Sequence, residues 1–230
     1  MSSYRIVVFF FLVAASVPAI AQRGSPSSII ALKAKLLKRI ALTFDACPTH
    51  LRSGYDSLVI QTLIETKTPA TLFLSGLWVK KHIRQTQFLS SVPLFEIANH
   101  SYSHPHLNKV SNQVTMTEIQ KTNELLMKLG SKKPVFFRPP YGEFDERTQR
   151  LVSEAGMRLI EYDVASGDPD TTISTQRLVH YVVKSVKNGS IVIMHMNKQG
   201  RHTAEALPAI IRQLRGKGYQ FVKVSELGAN

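Results

Sequence analysis

The sequence has little of several residue types that usually help to classify a protein. Its 230 residues include a single cysteine, Cys47, which excludes an internal disulfide. Acidic residues are also scarce, since 16 Asp and Glu stand against 29 Lys and Arg and give a formal charge of +13. No aromatic-basic repeat and no nucleic-acid motif accompanies this charge, so we expect no nucleic-acid partner. Such a charge suits attraction to an anionic polymer, for example cell-wall material, or to a lipid surface, unless it serves solubility alone.

Long apolar runs are confined to the beginning of the chain. Arg5 precedes the apolar block Ile6–Val13, and Ala19-Ile20-Ala21 follows as a small-residue cleavage site. This pattern predicts an export signal at residues 1–21, cut after Ala21, with an uncleaved anchor as the alternative. No later stretch is apolar enough to cross a membrane. We therefore expect a secreted or periplasmic protein with no integral membrane span after cleavage.

The remaining sequence is long enough for one domain. A Ser/Pro/Gly-rich linker at 22–37 leads into a domain predicted at 38–230, where short apolar runs alternate with longer amphipathic ones. The strand candidates are Ile40–Phe44, Ala70–Leu74, Leu94–Ala98, Val135–Arg138, Leu159–Val164, Ile191–His195 and Phe221–Val224. The helical patterns are Ser57–Glu65, Trp78–Leu89, Thr117–Leu129, Glu146–Ala155, Thr175–Val186 and Ala204–Leu214. This alternation predicts an α/β fold with a parallel sheet covered by helices, and we favour a barrel over an open doubly wound sheet.

Ionisable side chains come at or just after the ends of five predicted strands. In chain order they are Asp45, His100 and His104, Arg138, Asp163 and Asp168, and His195. The carboxyl ends of parallel strands share one edge, so we expect these groups at one rim of the fold. Charged groups that end apolar strands are costly unless they are paired or bound to a ligand, and a common site accounts for all of them together.

The segment 99–106 contains three of the eight histidines. His100 and His104 are four residues apart, and their neutral imidazoles can converge on one ion if the backbone between them makes about one turn. Pro105 argues against a regular helix, so we place the pair on a turn after a strand. The pattern His-x-x-x-His is short, and a polar surface loop with incidental histidines is the alternative.

Five motifs follow one another in the sequence. They are Thr43-Phe44-Asp45, Asn99-His100-Ser101-Tyr102-Ser103-His104, Arg138-Pro139-Pro140-Tyr141-Gly142, Ser166-Gly167-Asp168 and Ile193-Met194-His195. In this order they resemble the motifs of the polysaccharide deacetylases, the carbohydrate esterases of family 4 with a NodB homology domain. The resemblance spans about residues 38–226. It implies a distorted (β/α)7-type barrel and the metal-dependent removal of N- or O-acetyl groups from a glycan.

The resemblance also implies catalytic roles for five residues. Asp45 is the general base that takes a proton from water, and Arg138 orients it. His195 is the general acid that protonates the leaving nitrogen, and Asp168 orients His195 and raises its pKa. The backbone N–H of Tyr141 helps to hold the oxyanion.

The metal site departs from the family pattern. The resemblance implies His100 and His104 as ligands of a divalent metal, with zinc expected first and cobalt or nickel as alternatives. In the family the first motif continues as Asp-Asp-Gly and its second Asp is a third ligand, but here Ala46 stands at that position and cannot bind a metal. Ala165 and Pro169 also replace a common Asp and Trp. Two histidines with waters, or loss of the metal, are possible outcomes, and the candidates for a third ligand are Asp56, Cys47, His50 and His106.

We therefore predict an exported hydrolase that acts on carbon–nitrogen bonds other than peptide bonds, a polysaccharide deacetylase of a peptidoglycan- or chitin-like glycan. An acetylated polysaccharide is the expected partner, and an anionic cell-wall polymer would suit the positive charge. The alternatives are a small-amide amidohydrolase of the same superfamily and a non-catalytic glycan-binding pseudoenzyme.

Overall fold

The computed structural model describes residues 38–48 and 54–227. The predicted signal peptide, the linker and His50 lie outside these residues, so the predicted domain boundaries stay predictions. Within the described ranges, no helix combines the length and the apolar character that a membrane crossing requires.

Strands and helices alternate along the described chain, as the sequence pattern predicts. The strands are β1 (Lys38–Ala46), β2 (Ala70–Leu74), β3 (Phe95–Asn99), β4 (Phe136–Phe137), β5 (Arg158–Leu159), β6 (Val164–Ala165), β7 (Ile191–His195) and β8 (Tyr219–Phe221). The helices are α1 (Ser57–Glu65), α2 (Gly76–Lys81), α3 (Ile83–Ser91), α4 (Asn112–Lys128), α5 (Glu146–Glu154), α6 (Thr175–Ser185), α7 (Thr203–Gly216) and α8 (Val224–Leu227). Short 3-10 turns lie after β3 and β4, at Leu107–Lys109 and Pro140–Gly142.

The strands form one parallel sheet. Its order is β5-β4-β3-β2-β1-β7-β6, and β8 pairs with the beginning of β1. Strands β5 and β6 are the two edges, and residues 160–163 are all that separates them along the chain. The sheet therefore curls back on itself and leaves an opening at this point. This architecture confirms the predicted α/β fold, a distorted (β/α)7-type barrel.

Side chains of β1 alternate between two apolar layers. Leu42, Phe44 and Ala46 belong to the large core between the sheet and the helices, whereas Ala41 belongs to a smaller cluster with Phe73 on the inner face of the sheet. Full burial of a large apolar side chain stabilises a fold by roughly 1.5–3 kcal/mol. Because strand side chains alternate with a period of two, the odd-numbered positions of β1 face the interior of the barrel.

Three predicted elements differ from the structure. The helix predicted over 78–89 is divided into α2 and α3 at His82, whose φ of −127° is not helical. The strand predicted over 159–164 is two short strands on opposite edges of the sheet. The strand predicted over 221–224 ends at Phe221, and α8 begins at Val224. In each case the apolar pattern continues across the break, so it does not report where the backbone changes direction.

The loop after β3 docks against the beginning of α2. The N–H of Gly76 donates to the carbonyl of Ser101 at 3.0 Å, and the N–H of Leu77 donates to the carbonyl of Tyr102 at 2.9 Å. A Cβ at Gly76 would overlap the buried ring of Tyr102. The close approach of helix and loop therefore depends on glycine at this position.

We predict that Gly76→Ala lowers the free energy of unfolding by about 1–3 kcal/mol, the usual effect of overpacking, although alanine is the better helix former. The measurement is denaturant unfolding of both proteins. Gly216→Ala near the end of α7 is the matched control, since an added Cβ there meets no atom within 4 Å. The control should be neutral or stabilising by up to about 1 kcal/mol. Equal losses for the two substitutions would contradict the packing argument.

Candidate active site

Strand register places four residues at one level of the barrel mouth. Ala46 pairs with Leu74, Leu74 with Asn99, and Asn99 with Phe137. The residue that follows each of these four paired positions points to the inside of the barrel, because side chains of a strand alternate between its two faces. The four following residues therefore form one layer above the inner apolar cluster. They are Cys47, Ser75, His100 and Arg138.

Asp45 lies directly beneath this layer and is 3% exposed. Its Oδ1 accepts a hydrogen bond of 2.7 Å from Nη1 of Arg138, which also donates to Thr43 Oγ1 at 2.9 Å. Its Oδ2 is 3.5 Å from Nε2 of His100, and strand pairing puts His195 beside it. Burial alone would raise the pKa of Asp45, but the charge and hydrogen bond of Arg138, with contributions from the two histidines, hold the pKa below its ordinary value. Asp45 is therefore a carboxylate at neutral pH.

Arg138 is fixed by contacts on several sides. Its guanidinium lies 4.0 Å from the centroid of the Phe73 ring and 5.6 Å from that of Tyr162. The Nη1 atom bridges Thr43 and Asp45, while Nε and Nη2 have no hydrogen-bond partner among the described residues. Because the guanidinium packs on the Phe73 ring and is hydrogen-bonded to Thr43, it holds the Asp45 carboxylate in one orientation.

Cys47, His100 and His104 form a second group, whose ligand atoms all lie within 4.8 Å of one another. Nδ1 of His100 is hydrogen-bonded to the carbonyl of Arg138 at 2.9 Å, which leaves Nε2 for the cluster. His104 adopts a φ of +63°, and its N–H donates to Ser101 Oγ at 3.1 Å. Burial lowers the pKa of His100, and it lowers the pKa of His104 to about 3. Both imidazoles are thus neutral at pH 7, the form that binds metals.

The thiol of Cys47 completes this donor set. Nδ2 of Asn197 donates to the Cys47 carbonyl at 2.8 Å and lies 3.6 Å from Sγ, and Oε1 of Gln199 also lies 3.6 Å from Sγ. Burial, followed by the charge of Asp45, raises the pKa of the Cys47 thiol to about 12. Two imidazole nitrogens and one sulfur are donors that suit zinc, so the residues present fit a divalent metal of that kind.

His195 and Asp168 form a hydrogen-bonded pair at the end of β7. Oδ1 of Asp168 is 2.9 Å from Nδ1 of His195, and Oδ2 accepts from the His195 N–H at 2.7 Å and from Thr203 Oγ1 at 2.6 Å. Burial alone would lower the pKa of His195, but the hydrogen bond and charge of Asp168 outweigh it and raise this pKa. Because Nδ1 is held by Asp168, Nε2 is the nitrogen that can exchange a proton with the cleft.

The turn after β4 carries Tyr141 in a left-handed conformation, with a φ of +62°. The Tyr141 ring stacks on His106 at 4.1 Å between centroids and meets the His104 ring edge at 4.5 Å. Nδ1 of His106 is 2.8 Å from Oε2 of Glu143. The structure therefore places His106 in support of this turn and not in the group with Cys47.

Two carboxylates considered from the sequence are engaged elsewhere. Asp163 accepts hydrogen bonds of 2.8 Å from Ser190 Oγ and from the N–H of Ile191, at the amino end of β7. The prediction that Asp163 shares the rim was wrong, because this residue comes immediately before β6 and lies at the amino end of that strand. Asp56 accepts from two backbone N–H groups of the first turn of α1 and is its N-cap.

Glu118 was not evident from the sequence, yet it shapes the histidine loop. Its Oε2 accepts hydrogen bonds of 2.7 Å from the N–H groups of Tyr102 and Ser103, and its Oε1 accepts from Ser103 Oγ at 2.7 Å. Asn99 adds a bond of 2.8 Å from the Ser101 N–H to its Oδ1. These bonds tie the loop to α4, and no local signal separates Glu118 from the other polar residues of an amphipathic helix.

Glu161 is a second group that sequence reasoning missed. It lies between β5 and β6, and its Oε2 is 3.5 Å from the position of a Cβ built on Gly142. Its Oε1 is buried and has no hydrogen-bond partner within the described chain. Burial raises the pKa of Glu161 to about 7, against the opposing charge of Arg138. The carboxyl group therefore titrates near neutral pH beside the Tyr141 turn.

One cleft of about 1160 Å³ opens onto these groups. Its floor includes Asp45, Cys47 and Arg138, and two basic side chains, Lys198 and Arg201, lie among its lining residues. The sequence-predicted residues that it brings together are Asp45, His100, His104, Arg138, Tyr141 and His195, with Asp168 buried behind His195. The volume exceeds the roughly 300–1,000 Å³ that is usual for a small-molecule pocket.

Comparison with known proteins identifies the class to which this fold and site belong. A sequence model described as polysaccharide deacetylase matches residues 33–160. A peptidoglycan-N-acetylglucosamine deacetylase of Bacillus cereus is 31% identical over 195 residues, which cover 83% of this chain and 88% of that protein. A bifunctional xylanase/xylan deacetylase of Cellvibrio japonicus is 30% identical over 181 residues, which cover 78% of this chain and 26% of that protein. The chain belongs to the polysaccharide deacetylase family, and the resemblance predicted from its motifs is confirmed. The relatives named as peptidoglycan-N-acetylglucosamine deacetylases are hydrolases that act on carbon–nitrogen bonds other than peptide bonds.

A similar solved structure is that of a carbohydrate esterase family 4 pseudoenzyme from Bacillus anthracis. Its TM-score is 0.74 at 28% identity, and the match covers 84% of this chain and 66% of that chain. A mutant of that pseudoenzyme has restored enzymatic activity. The chain also spans between about a quarter and two thirds of the length of the first curated relatives it matches. The activity of this chain therefore depends on the residues of its own site and does not follow from the fold alone.

Glu161 yields a prediction about the pH dependence of stability. The folded-state pKa of about 7 lies above the ordinary 4.5. The contribution of the neutral carboxyl to the free energy of unfolding is therefore fully present below pH 4.5 and is lost as the pH rises through 7. We predict that Glu161→Gln raises the melting temperature relative to the wild type at pH 8 more than it does at pH 4. Thermal unfolding across this range measures the difference. The control Glu154→Gln, at an exposed position of α5, should show no such trend, and a parallel trend for both variants would contradict the assignment.

Proposed function

We propose that the protein is an exported, metal-dependent deacetylase that removes acetyl groups from an N- or O-acetylated polysaccharide of the peptidoglycan or chitin kind. The observation that carries the proposal is the meeting, in one cleft, of the Asp45–Arg138 pair, the His100–His104 pair and the His195–Asp168 pair. Relatives that are named as deacetylases of peptidoglycan and xylan support the same reaction class. We further propose that residues 1–21 direct export, as the apolar run after Arg5 predicts.

The metal site would be built on His100 and His104. A bound divalent cation supplies an acidified water and polarises the acetyl carbonyl. Nδ1 of His100 is held by the Arg138 carbonyl, which orients the ring and sets its tautomer. The T-shaped packing of the two imidazole rings, 4.8 Å between centroids, keeps their nitrogens close together.

Asp45 is proposed to accept the proton of the attacking water. Its Oδ2 is the oxygen nearer to His100, while Oδ1 is occupied by Arg138. The lowered pKa keeps the carboxylate ionised and available as a base across the neutral range. The water oxygen then bonds to the acetyl carbon, and its proton moves to Asp45.

His195, on the neighbouring strand, is proposed to complete the reaction. It pairs in register with Asp45, and the hydrogen bond and charge of Asp168 raise its pKa, which favours the protonated ring that a general acid needs. When the bond between the acetyl carbon and the sugar nitrogen breaks, the Nε2 proton passes to that nitrogen, and acetate and a free amine leave. The backbone N–H of Tyr141 is proposed to hold the acetyl oxygen as its charge develops.

The cleft supports a polymeric and anionic substrate. Its volume of about 1160 Å³ leaves room for sugars on both sides of the acetyl group. Lys198 and Arg201 line it, and Asp45 is the one carboxylate among its described lining residues. A surplus of positive charge favours a glycan that bears carboxylates or phosphates, such as a cell-wall polymer.

One competing function has an observation in its favour. Ala46 stands at the position of a family metal ligand, and a similar solved structure is that of a pseudoenzyme. A chain that lacks the ion but keeps the cleft would bind glycan without cleaving the acetyl group. The small-amide alternative is disfavoured by the size of the cleft.

The test of the function is acetate release from acetylated chito-oligosaccharide and from peptidoglycan fragments by protein loaded with zinc or cobalt. We expect Asp45→Asn to lower the rate by about 10²–10⁴-fold, the usual contribution of a general base, and His100→Ala to abolish metal-dependent turnover. The matched control Asp163→Asn alters a carboxylate away from the cleft and should leave the rate unchanged. Saccharide binding without acetate release by the wild type would support the pseudoenzyme instead.

The His195–Asp168 pair gives a prediction about the pH profile. Activity should fall as the pH rises above the pKa of His195, because the acid then lacks its proton. Asp168→Asn removes the charge that raises this pKa, so the alkaline limb of kcat/KM should move to lower pH. Asp163→Asn is again the control and should keep the wild-type profile. An alkaline limb that stays in place in Asp168→Asn would remove His195 from the role of acid.

A further inference from the structure

We infer that Cys47, as a thiolate, is the third protein ligand of the metal, in place of the carboxylate that the family carries one position earlier. The inference rests on the proposed metal-dependent function and names the donor that completes its site. Cys47 Sγ belongs to the group of ligand atoms that lie within 4.8 Å of one another, together with nitrogens of His100 and His104.

Strand geometry explains why position 47, and not position 46, lies beside His100 and His104. Ala46 ends β1 and is packed in the core between sheet and helices, on the same face as Leu42 and Phe44. Asp45 is on the opposite face, toward the cleft, and alternation returns the side chain at 47 to that face. Register then places Cys47 at the level of His100. A ligand at 47 therefore needs no change in the course of β1.

Polar side chains of the loop after β7 lie close to the Cys47 sulfur. Cys47 is 4% exposed, and Asn197, which is fully buried, has its Nδ2 at 3.6 Å from Sγ and is anchored on the Cys47 carbonyl at 2.8 Å. An amide N–H directed at a sulfur supports a metal-bound thiolate in the way that outer hydrogen bonds usually support ligands. Asn197 and Gln199 lie on the loop that follows His195, so the loop after β7 also supports the sulfur.

The other candidates for the third ligand that the structure describes are occupied. Oδ1 of Asp45 is bonded to Arg138, and its role as base needs Oδ2. Asp56 caps α1, and His106 is bonded to Glu143 beneath the Tyr141 ring. Cys47 is the remaining candidate among the described residues whose donor atom lies in the group.

Binding exchanges one proton for one metal–sulfur bond. The Cys47 thiol releases its proton to solvent as the bond forms, so the thiolate contributes the same single negative charge as a carboxylate would. The donor set becomes one sulfur and two nitrogens, which favours zinc and cobalt(II) over magnesium, calcium and manganese. A four-coordinate metal held by these three donors would keep one position open for water.

The decisive experiment uses the unmodified protein loaded with zinc or cobalt(II). X-ray absorption of the zinc form should show one sulfur at about 2.3 Å together with nitrogen and oxygen neighbours. The cobalt form should show a near-ultraviolet sulfur-to-metal charge-transfer band. Because Cys47 is the single cysteine, such a sulfur can be assigned to it once methionine is excluded by the variant below. A first shell of nitrogen and oxygen alone would overturn the inference.

Variants provide the second arm. Cys47→Ser should lose the charge-transfer band and weaken zinc binding by more than about 100-fold, since even outer-sphere changes cost roughly 10–100-fold. Serine keeps the size and polarity of the residue, so the matched comparison isolates the sulfur. Unchanged zinc affinity in Cys47→Ser would overturn the inference. Asp56→Ala, which alters the cap of α1, should retain the band.

Acetate release and the metal–sulfur bond are measured separately, so a failure of this inference can be distinguished from a failure of the proposed function. Acetate release by the wild type without a metal–sulfur bond would leave the deacetylase and remove Cys47 from the site. A metal–sulfur bond in a protein that releases no acetate from any acetylated glycan would keep the ligand and overturn the proposed activity.

Discussion

The buried ion pair between Asp45 and Arg138 is the interaction on which the mouth of the barrel depends. The two side chains are 4% and 1% exposed, and neither charge could remain there without the other, since removal of one member of such a pair costs about 3–5 kcal/mol. The pair joins β1 to the end of β4 across the two intervening strands. Thr43 and the Phe73 ring hold the guanidinium in place. The orientation of the Asp45 carboxylate follows from this arrangement.

Around this pair the backbone adopts conformations that most residues avoid. Ser101, His104 and Tyr141 all have φ values of +62° to +63°, in the left-handed region that favours glycine. Such conformations cost of order 1–3 kcal/mol each and persist when the surroundings fix them. Here the surroundings are Glu118 on α4 and the stacked ring of His106. The fold thus supplies the stability that the loops around the cleft lack by themselves.

The departures of this chain from its family are easier to understand in space than along the sequence. Ala46 stands where the resemblance implies a carboxylate and packs into the core between sheet and helices, while the next residue places a sulfur beside the two histidines. Ala165 stands where the resemblance implies a second carboxylate, while Glu161, at the opening between β5 and β6, brings a carboxyl group into the electrostatic environment of Arg138 and Asp45. Compared position by position, the motifs differ from the family at Ala46 and Ala165. The structure shows the thiol of Cys47 and the carboxyl group of Glu161 in the same region of the site. The similarity to a pseudoenzyme therefore does not by itself decide the chemistry of this chain.

The sequence alone determined the alternation of strands and helices and the parallel sheet, because apolar periodicity is a local property. Its five motifs carried the resemblance to the family. The positions of Asp45, His100, Arg138 and His195 at strand ends predicted that these residues gather at one edge. The sequence failed where the answer depends on contacts between distant segments. The apolar run at 159–164 could not show that the barrel opens there, and so Asp163 was assigned to the wrong end of the sheet. The tertiary structure alone decided that Cys47, among the candidate ligands it describes, lies beside the histidines, and that Glu118 holds their loop. Those choices depend on strand register and burial, which arise only when the sheet has curled and its neighbours are in place.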